Sequence, residues 1–166
     1  MEIYLLREAP TEGALFVATE AESPLPVDAG FKAVANEALA EIYGGYRVSE
    51  RRLKEGRATI YLVCPVIRAT SLSAKEFDDH WRTVHGPLAL KHHVGMTEYR
   101  QLTVVECNRG APKFDGISLL GFPDAKALKH KMVDSLDGAR ALAADVRKFV
   151  SASELAVMRQ VVTTSN

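Results

Sequence analysis

Five histidines stand in this chain, His80, His85, His92, His93 and His130. Imidazole is the side chain whose unperturbed titration lies nearest neutral pH, so these residues are the first place to look for proton chemistry. His85 is the leading candidate. A helical wheel sets it at the margin of an apolar face, one turn after Trp81, and at a helix C-terminus. There the helix dipole favours imidazolium while burial favours the neutral ring, and the two effects together hold a pKa near the working pH. The alternative is a hydrogen bond from His85 to the backbone that shapes the Gly86-Pro87 turn. His80 falls near the other margin of the same face, as a core-edge or substrate-contacting group. His92 and His93 follow the proline; one could reach a cavity mouth, although surface exposure is the plainer expectation for both. His130, between Lys129 and Lys131, is expected on a solvated surface.

Tyr99 and Gln101 have the same parity on a strand and so face the same side. A hydroxyl with a neighbouring carboxamide could orient a phenol or carbonyl oxygen, or simply pack in the core with a polar tip. Asp115 beside Gly116 is either a strand-start residue or an assisting carboxylate. Phe77 and Trp81 offer apolar surface to a substrate or to the core. No nucleotide-binding glycine loop, nucleophile elbow, zinc-helix motif or paired-cysteine metal site appears. The expected catalytic set is therefore His85, Tyr99 and Asp115, with Phe77, His80, Trp81 and Gln101 contacting substrate, and no cofactor and no metal. Cys64 and Cys107 lack metal or redox spacing and read as buried reduced thiols.

These side chains need elements to hold them. Arg57 to Arg68 is rich in β-branched and aliphatic residues and predicts a buried strand, edged or bulged at Pro65. Ser73 and Glu76 form a capping box, and Phe77, Trp81, Val84 and Leu88 recur on one helical face, with Gly86-Pro87 ending or kinking the helix. Strands follow at Thr97 to Cys107 and Phe114 to Phe122, then a helix capped by Asp124 through Val133. A further helical face carries Leu142, Val146, Phe149 and Val150, and Glu154 to Val162 closes as a strand. The order is β-α-β-β-α-β, the ferredoxin-like arrangement, which leaves one sheet face needing cover.

Residues 1–56 read as β-β-α-β. Strands are expected at Glu2 to Arg7 and Ala14 to Ala21, and a helix from Asp28 carries Phe31, Val34, Ala38 and Ile42 and stops at Gly44-Gly45. Tyr46 to Leu53 is a weaker strand. Arg7 to Pro10 followed by Glu12-Gly13 echoes Arg109 to Pro112 followed by Asp115-Gly116. The segment is thus either a degenerate half-repeat that completes a barrel in one chain or an unrelated extension, beside a main domain at 57–166.

The run Phe77-Asp-Asp-His80-Trp81-Arg-Thr-Val-His85-Gly86-Pro87-Leu88-Ala89 resembles the helix signature of EthD-like proteins, in the dimeric α/β-barrel superfamily. Tyr99-Arg-Gln101 and Phe114-Asp115-Gly116 resemble that family's second and third strand motifs, and the likeness spans about Arg57 to Val162. It implies an α+β fold in which a ferredoxin-like unit makes an α/β barrel, by homodimerisation or with the N-terminal half-repeat. It further implies a small hydrophobic ligand held in a barrel cavity. Fungal members resemble dehydratases or decarboxylases of aromatic polyketides, whereas the original bacterial members accompany ether-degrading oxygenases. The function expected is a cofactor-independent lyase or cyclase acting by acid–base catalysis; the alternative is a non-catalytic accessory protein for a partner oxygenase.

Lysine plus arginine equals aspartate plus glutamate at 21 each, so there is no long-range attraction for nucleic acid or anionic membrane. The basic residues Arg47, Arg51, Arg52, Lys54 and Arg57 read as a solvated strand edge and loop. No run approaches a membrane span, and no signal core follows the N-terminus. A cytoplasmic chain is expected, as a homodimer or a pseudo-dimeric monomer.

Overall fold

The second half of the chain builds its sheet from alternating strands. β4 (Ile60–Arg68) pairs antiparallel with β6 (Gly116–Phe122), and β6 pairs antiparallel with β5 (Glu98–Cys107). The computed structural model describes residues 2–8, 14–19, 40–107, 113–153 and 156–161. Three earlier strands, β1 (Glu2–Glu8), β2 (Ala14–Thr19) and β3 (Ala40–Lys54), extend the sheet from β5 in the order β3, β1, β2. The last strand, β8 (Ala156–Val161), runs parallel to β2 and antiparallel to β4. The pairings therefore return to their start, and seven strands close into a barrel within one chain. A short strand, β7 (Val150–Ser153), continues beside β4 past the end of β8. No strand from a second copy is needed to complete this ring.

The helices among the described residues are α1 (Ala74–His80), a π-helical turn (Trp81–His85), α2 (Gly86–His92), α3 (Ala125–Lys131) and α4 (Leu136–Phe149). From β4 onward the order is the expected β-α-β-β-α-β, and the whole is an α+β fold. None of the described helices is long and apolar enough to cross a membrane.

Alternation along the strands sorts the core into two faces. Tyr61, Val63, Leu102, Ile117 and Leu119 turn into the barrel, where they cluster with Tyr46 and Val48 of β3. Leu62, Cys64, Val66, Tyr99, Leu120 and Phe122 turn outward under the helices. Phe77, Trp81 and Phe149 fill the space between α1, α4 and Val66, each with at most 2% of its surface exposed. Burying each phenylalanine side chain contributes about 1.5–3 kcal/mol.

Pro65 is accommodated inside a paired strand rather than at an edge. Val66 O accepts from Asp115 N on the β6 side, so the proline nitrogen faces the opposite neighbour. That is where pairing passes from β8, opposite Tyr61–Val63, to β7, opposite Val66–Arg68, and no ladder donor is called for.

Residues 28–39, the body of the expected N-terminal helix, lie outside the described residues, as do Ala9 to Gly13 and Asn108 to Pro112, which carry most of the echo. Residues 40–45, expected to finish that helix, belong instead to β3. The glycine pair is no helix stop. Pairing with β1 skips Tyr43 between Leu6↔Ile42 and Leu5↔Gly44, so Gly44-Gly45 adjoins a β-bulge. The basic residues of β3 are likewise on an interior strand, not an edge. Arg47 pairs with Glu106 at 2.9 Å, Arg51 with Asp78 at 2.9 Å and Arg52 with Glu50 at 3.2 Å.

Candidate functional site

The helical wall opposite the sheet begins with the Ser73 capping box: Ser73 Oγ accepts from Glu76 N, and Glu76 Oε2 accepts from Ser73 N at 2.8 Å. Such a cap is worth about 1 kcal/mol and fixes where the helix starts. Pro87 neither ends the helix nor breaks it. The backbone widens instead into a π-turn in which Gly86 N donates to Trp81 O, five residues back, and helix continues to His92. The Trp81 carbonyl also accepts from Gln101 Nε2 at 2.9 Å. This extra residue rotates the apolar face. Val84, expected inside, is 45% exposed, while Gly86 and Ala89 take the buried positions.

The π-turn also changes where the histidines lie. In an α-helix, residues five apart sit about 140° from each other. With i→i+5 bonding they share a side, so His80 and His85 both reach Asp145 of α4. His85 Nδ1 and His80 Nε2 each lie 3.1 Å from one carboxylate oxygen, Oδ2 and Oδ1 respectively. A carboxylate only accepts, so His85 carries its proton on Nδ1, and Nε2 is the basic nitrogen.

Between the outer face of the sheet and the helices lies a cavity of about 350 Å³. Leu62, Cys64, Val66, Ser118 and Leu120 form its floor; Trp81, His85, Ala89 and His93 form one wall, and Leu142, Val146 and Phe149 the other. Among the described residues the cavity thus lies outside the strand ring, whereas the sequence pointed to one inside the barrel. The inward face of β4, β5 and β6 is packed with its own side chains, whereas opposite the floor the helices offer Ala89, Ala139 and Ala143 and leave space.

Few polar groups enter this space. Burial pushes His85 below the usual imidazole range, and the Asp145 carboxylate partly restores it. His93, for which both a cavity mouth and an exposed surface were open, lines the cavity; its Nδ1 donates to Met132 O at 2.6 Å, and burial likewise lowers its pKa. Burial raises the pKa of Tyr99, against hydrogen bonds from Gln101, Ser118 and Trp81 that stabilise the charged form. Arg51 Nη1 donates to Gln101 Oε1 at 2.9 Å, which fixes the amide orientation and aims Gln101 Nε2 at the Tyr99 hydroxyl oxygen, 3.2 Å away. Cys64 is a neutral thiol, pushed up to about 12 by burial.

The structure therefore brings His85, Tyr99 and Trp81 to one cavity. Phe77, His80 and Gln101 stand behind its wall, supporting Trp81, Asp145 and Tyr99. Asp115 is elsewhere: its carboxylate accepts from Arg68 N at 3.0 Å and Arg68 Nε at 2.9 Å, tying β6 to β4. Asp145 is not among the expected site residues, yet it interrupts the apolar stripe Leu142, Val146, Phe149, and a carboxylate on such a stripe implies a buried partner. His93 carried no such signal. No group of three or more His, Cys, Asp or Glu able to hold a metal occurs among the described residues.

Comparison with known proteins places this geometry. The EthD domain family matches residues 69–153, which contain the π-turn, the cavity wall and Asp145. No curated protein matches the chain significantly. Among solved structures, an EthD family protein from Bacillus halodurans C-125 superposes with a TM-score of 0.50 at 22% identity, covering 60% of this chain and 95% of that one. An anthrone oxidase-like protein has a TM-score of 0.56 at 13% identity, covering 95% and 75%. A putative monooxygenase from Lactobacillus acidophilus NCFM has a TM-score of 0.51 at 8% identity, covering 93% and 74%. At these identities the likeness is one of fold.

Proposed function

The chain belongs to the EthD domain family, and from that premise we propose a cofactor-independent lyase or cyclase for a small hydrophobic, aromatic or polyketide-like compound. The observation that carries this reading is His85: a titratable ring on the wall of an apolar cavity, its Nδ1 held by a buried carboxylate. An imidazole so fixed presents one basic nitrogen in a single tautomer.

In a dehydration, His85 Nε2 takes a proton from a carbon next to a carbonyl. The electron pair forms the new carbon–carbon double bond as hydroxide departs, and His85 returns its proton to the leaving oxygen, releasing water. In a decarboxylation His85 Nε2 takes the proton of the carboxylic acid, the carbon–carboxylate bond breaks, carbon dioxide leaves, and the His85 imidazolium so formed protonates the carbon. Either way negative charge gathers on the carbonyl oxygen. Tyr99 is suited to meet it. Burial keeps the phenol protonated, and its oxygen already accepts from Gln101, so its own proton is the group offered to a ligand. Electrons shift only within the substrate, so this class of reaction calls for no redox partner.

The test is incubation with a panel of hydroxylated and carboxylated aromatic compounds, scored by mass spectrometry for loss of water or carbon dioxide. His85→Gln is expected to lower turnover by about 10²–10⁴-fold with binding retained, and Tyr99→Phe to lower it by about 10²-fold or more. Compounds that bind in the cavity without turnover by the wild-type protein would assign it the accessory role instead.

A further inference from the structure

Asp145 serves two imidazoles with its two oxygens, and both rings pack on Phe149, with centroids 5.1 Å from His85 and 4.9 Å from His80. Its side chain is 4% exposed, and a carboxylate so buried needs a positive charge beside it. Lys148 comes within 3.6 Å of Oδ1 but is 65% exposed, and a solvated ammonium compensates a buried charge weakly. An imidazolium on either ring would be hydrogen-bonded to it directly and less solvated than Lys148. A second would set two like charges against a single carboxylate, in a setting that already penalises charge.

We infer that His80, Asp145 and His85 titrate as one unit holding a single imidazolium, and that His80 and Asp145 are positioning residues which keep His85 neutral and basic until substrate supplies a proton. The two histidines are not equivalent. His80 has 24% of its side chain exposed against 12% for His85, and only His85 lines the cavity. At rest the proton sits on His80, nearer water. When His85 Nε2 takes a proton from the bound compound, His80 releases its own to solvent, and the unit keeps one positive charge, now facing the cavity. When His85 gives that proton up, His80 takes another from solvent. No proton crosses Asp145, which stays ionised throughout.

The inference rests on the reading of His85 as the proton carrier, but its test needs no substrate. The titratable groups around His85 are His80 before it, His93 at the end of α2, and Asp145 and Lys148 on α4. Tyr99 and Cys64 face it from the sheet, and burial keeps both neutral.

The experiment is an NMR pH titration of the histidine rings in the full chain. In the wild-type protein His85 should titrate in two steps, the smaller coinciding with the titration of His80. His80→Gln keeps an N–H for Oδ1 but cannot become charged; it should leave His85 with one step, its pKa raised by about one unit. Asp145→Asn should lower the His85 pKa, and a rise or no change there would contradict the shared-carboxylate account. Single-step titration of wild-type His85, or a pKa unmoved within about 0.2 units in His80→Gln, overturns the coupling while leaving His85 as proton carrier intact. Should His80→Gln fail to fold, the shape of the wild-type curve decides alone. Coupling found in a protein that turns over nothing would sink the proposed reaction and not this unit.

Discussion

Replacing His93 with glutamine should flatten the pH dependence of stability. Burial disfavours the charged forms of both His85 and His93, so each titrates lower in the folded chain than its ordinary value of 6.5. Between the folded and unfolded pKa values the unfolded chain binds more protons, so stability is complete above the unfolded value and is lost as pH falls toward the folded one. One such group contributes a slope of at most about 1.4 kcal/mol per pH unit, and two contribute at most about 2.7. His93→Gln can still donate to the Met132 carbonyl but cannot bind a proton, so it should lower the slope by up to about 1.4 kcal/mol per pH unit. Urea unfolding followed by the fluorescence of Trp81, the single tryptophan, measures this between about pH 7.5 and pH 5.5. That window excludes Glu76, Asp79 and Asp134, whose pKa values are lowered from ordinary carboxylate values and which lose their contribution only at more acid pH. A His93→Gln slope equal to the wild-type slope would refute the placement of His93 against the cavity. A His93→Gln stability that rises more steeply with pH than the wild-type stability would refute the sign for His93.

Two further outcomes test the packing around the cavity. A Cβ on Gly116 would collide with the Trp81 indole, so Gly116→Val should cost about 1–3 kcal/mol and shift Trp81 emission to the red; unchanged emission and stability would show that the indole does not lie there. Cys64, pushed up to about 12 by burial, should alkylate far more slowly than Cys107 at about pH 8. Equal rates, read by peptide mass mapping, would mean that the cavity floor is open to reagent.

The second half of the fold was legible because its signals are local. Ser73 with Glu76, Asp124 as an N-cap and the strand periodicities each depend on residues a few positions apart, and each reappears in place. Residues 40–45 were misread for the opposite reason. Their assignment depends on pairing with β1, some forty positions earlier, and on a bulge at Tyr43 that no local pattern announces. Which face of the sheet would hold a cavity was also hidden, since alternation shows that two faces exist and not which neighbour leaves a gap. The small residues Ala89, Ala139 and Ala143 carry that information, but only once the helices bearing them are known to face the sheet.

The site itself turns on a choice the sequence leaves open. Pro87 announces that one helical donor is missing, and a chain can absorb that loss by stopping, kinking or widening its turn. A regular helical wheel assumes none of these, so it buries Val84 and sends His80 and His85 to opposite margins of one face. Widening prevails because the Trp81 carbonyl has two donors in the wider register, Gly86 N and the carboxamide of Gln101 twenty residues on. That carboxamide is itself held by Arg51 of β3, so a strand outside the family match helps to secure the turn that gathers both histidines on Asp145. The hydrogen bond that looked in sequence like a tool for gripping substrate works one layer back, on the backbone that aims the base.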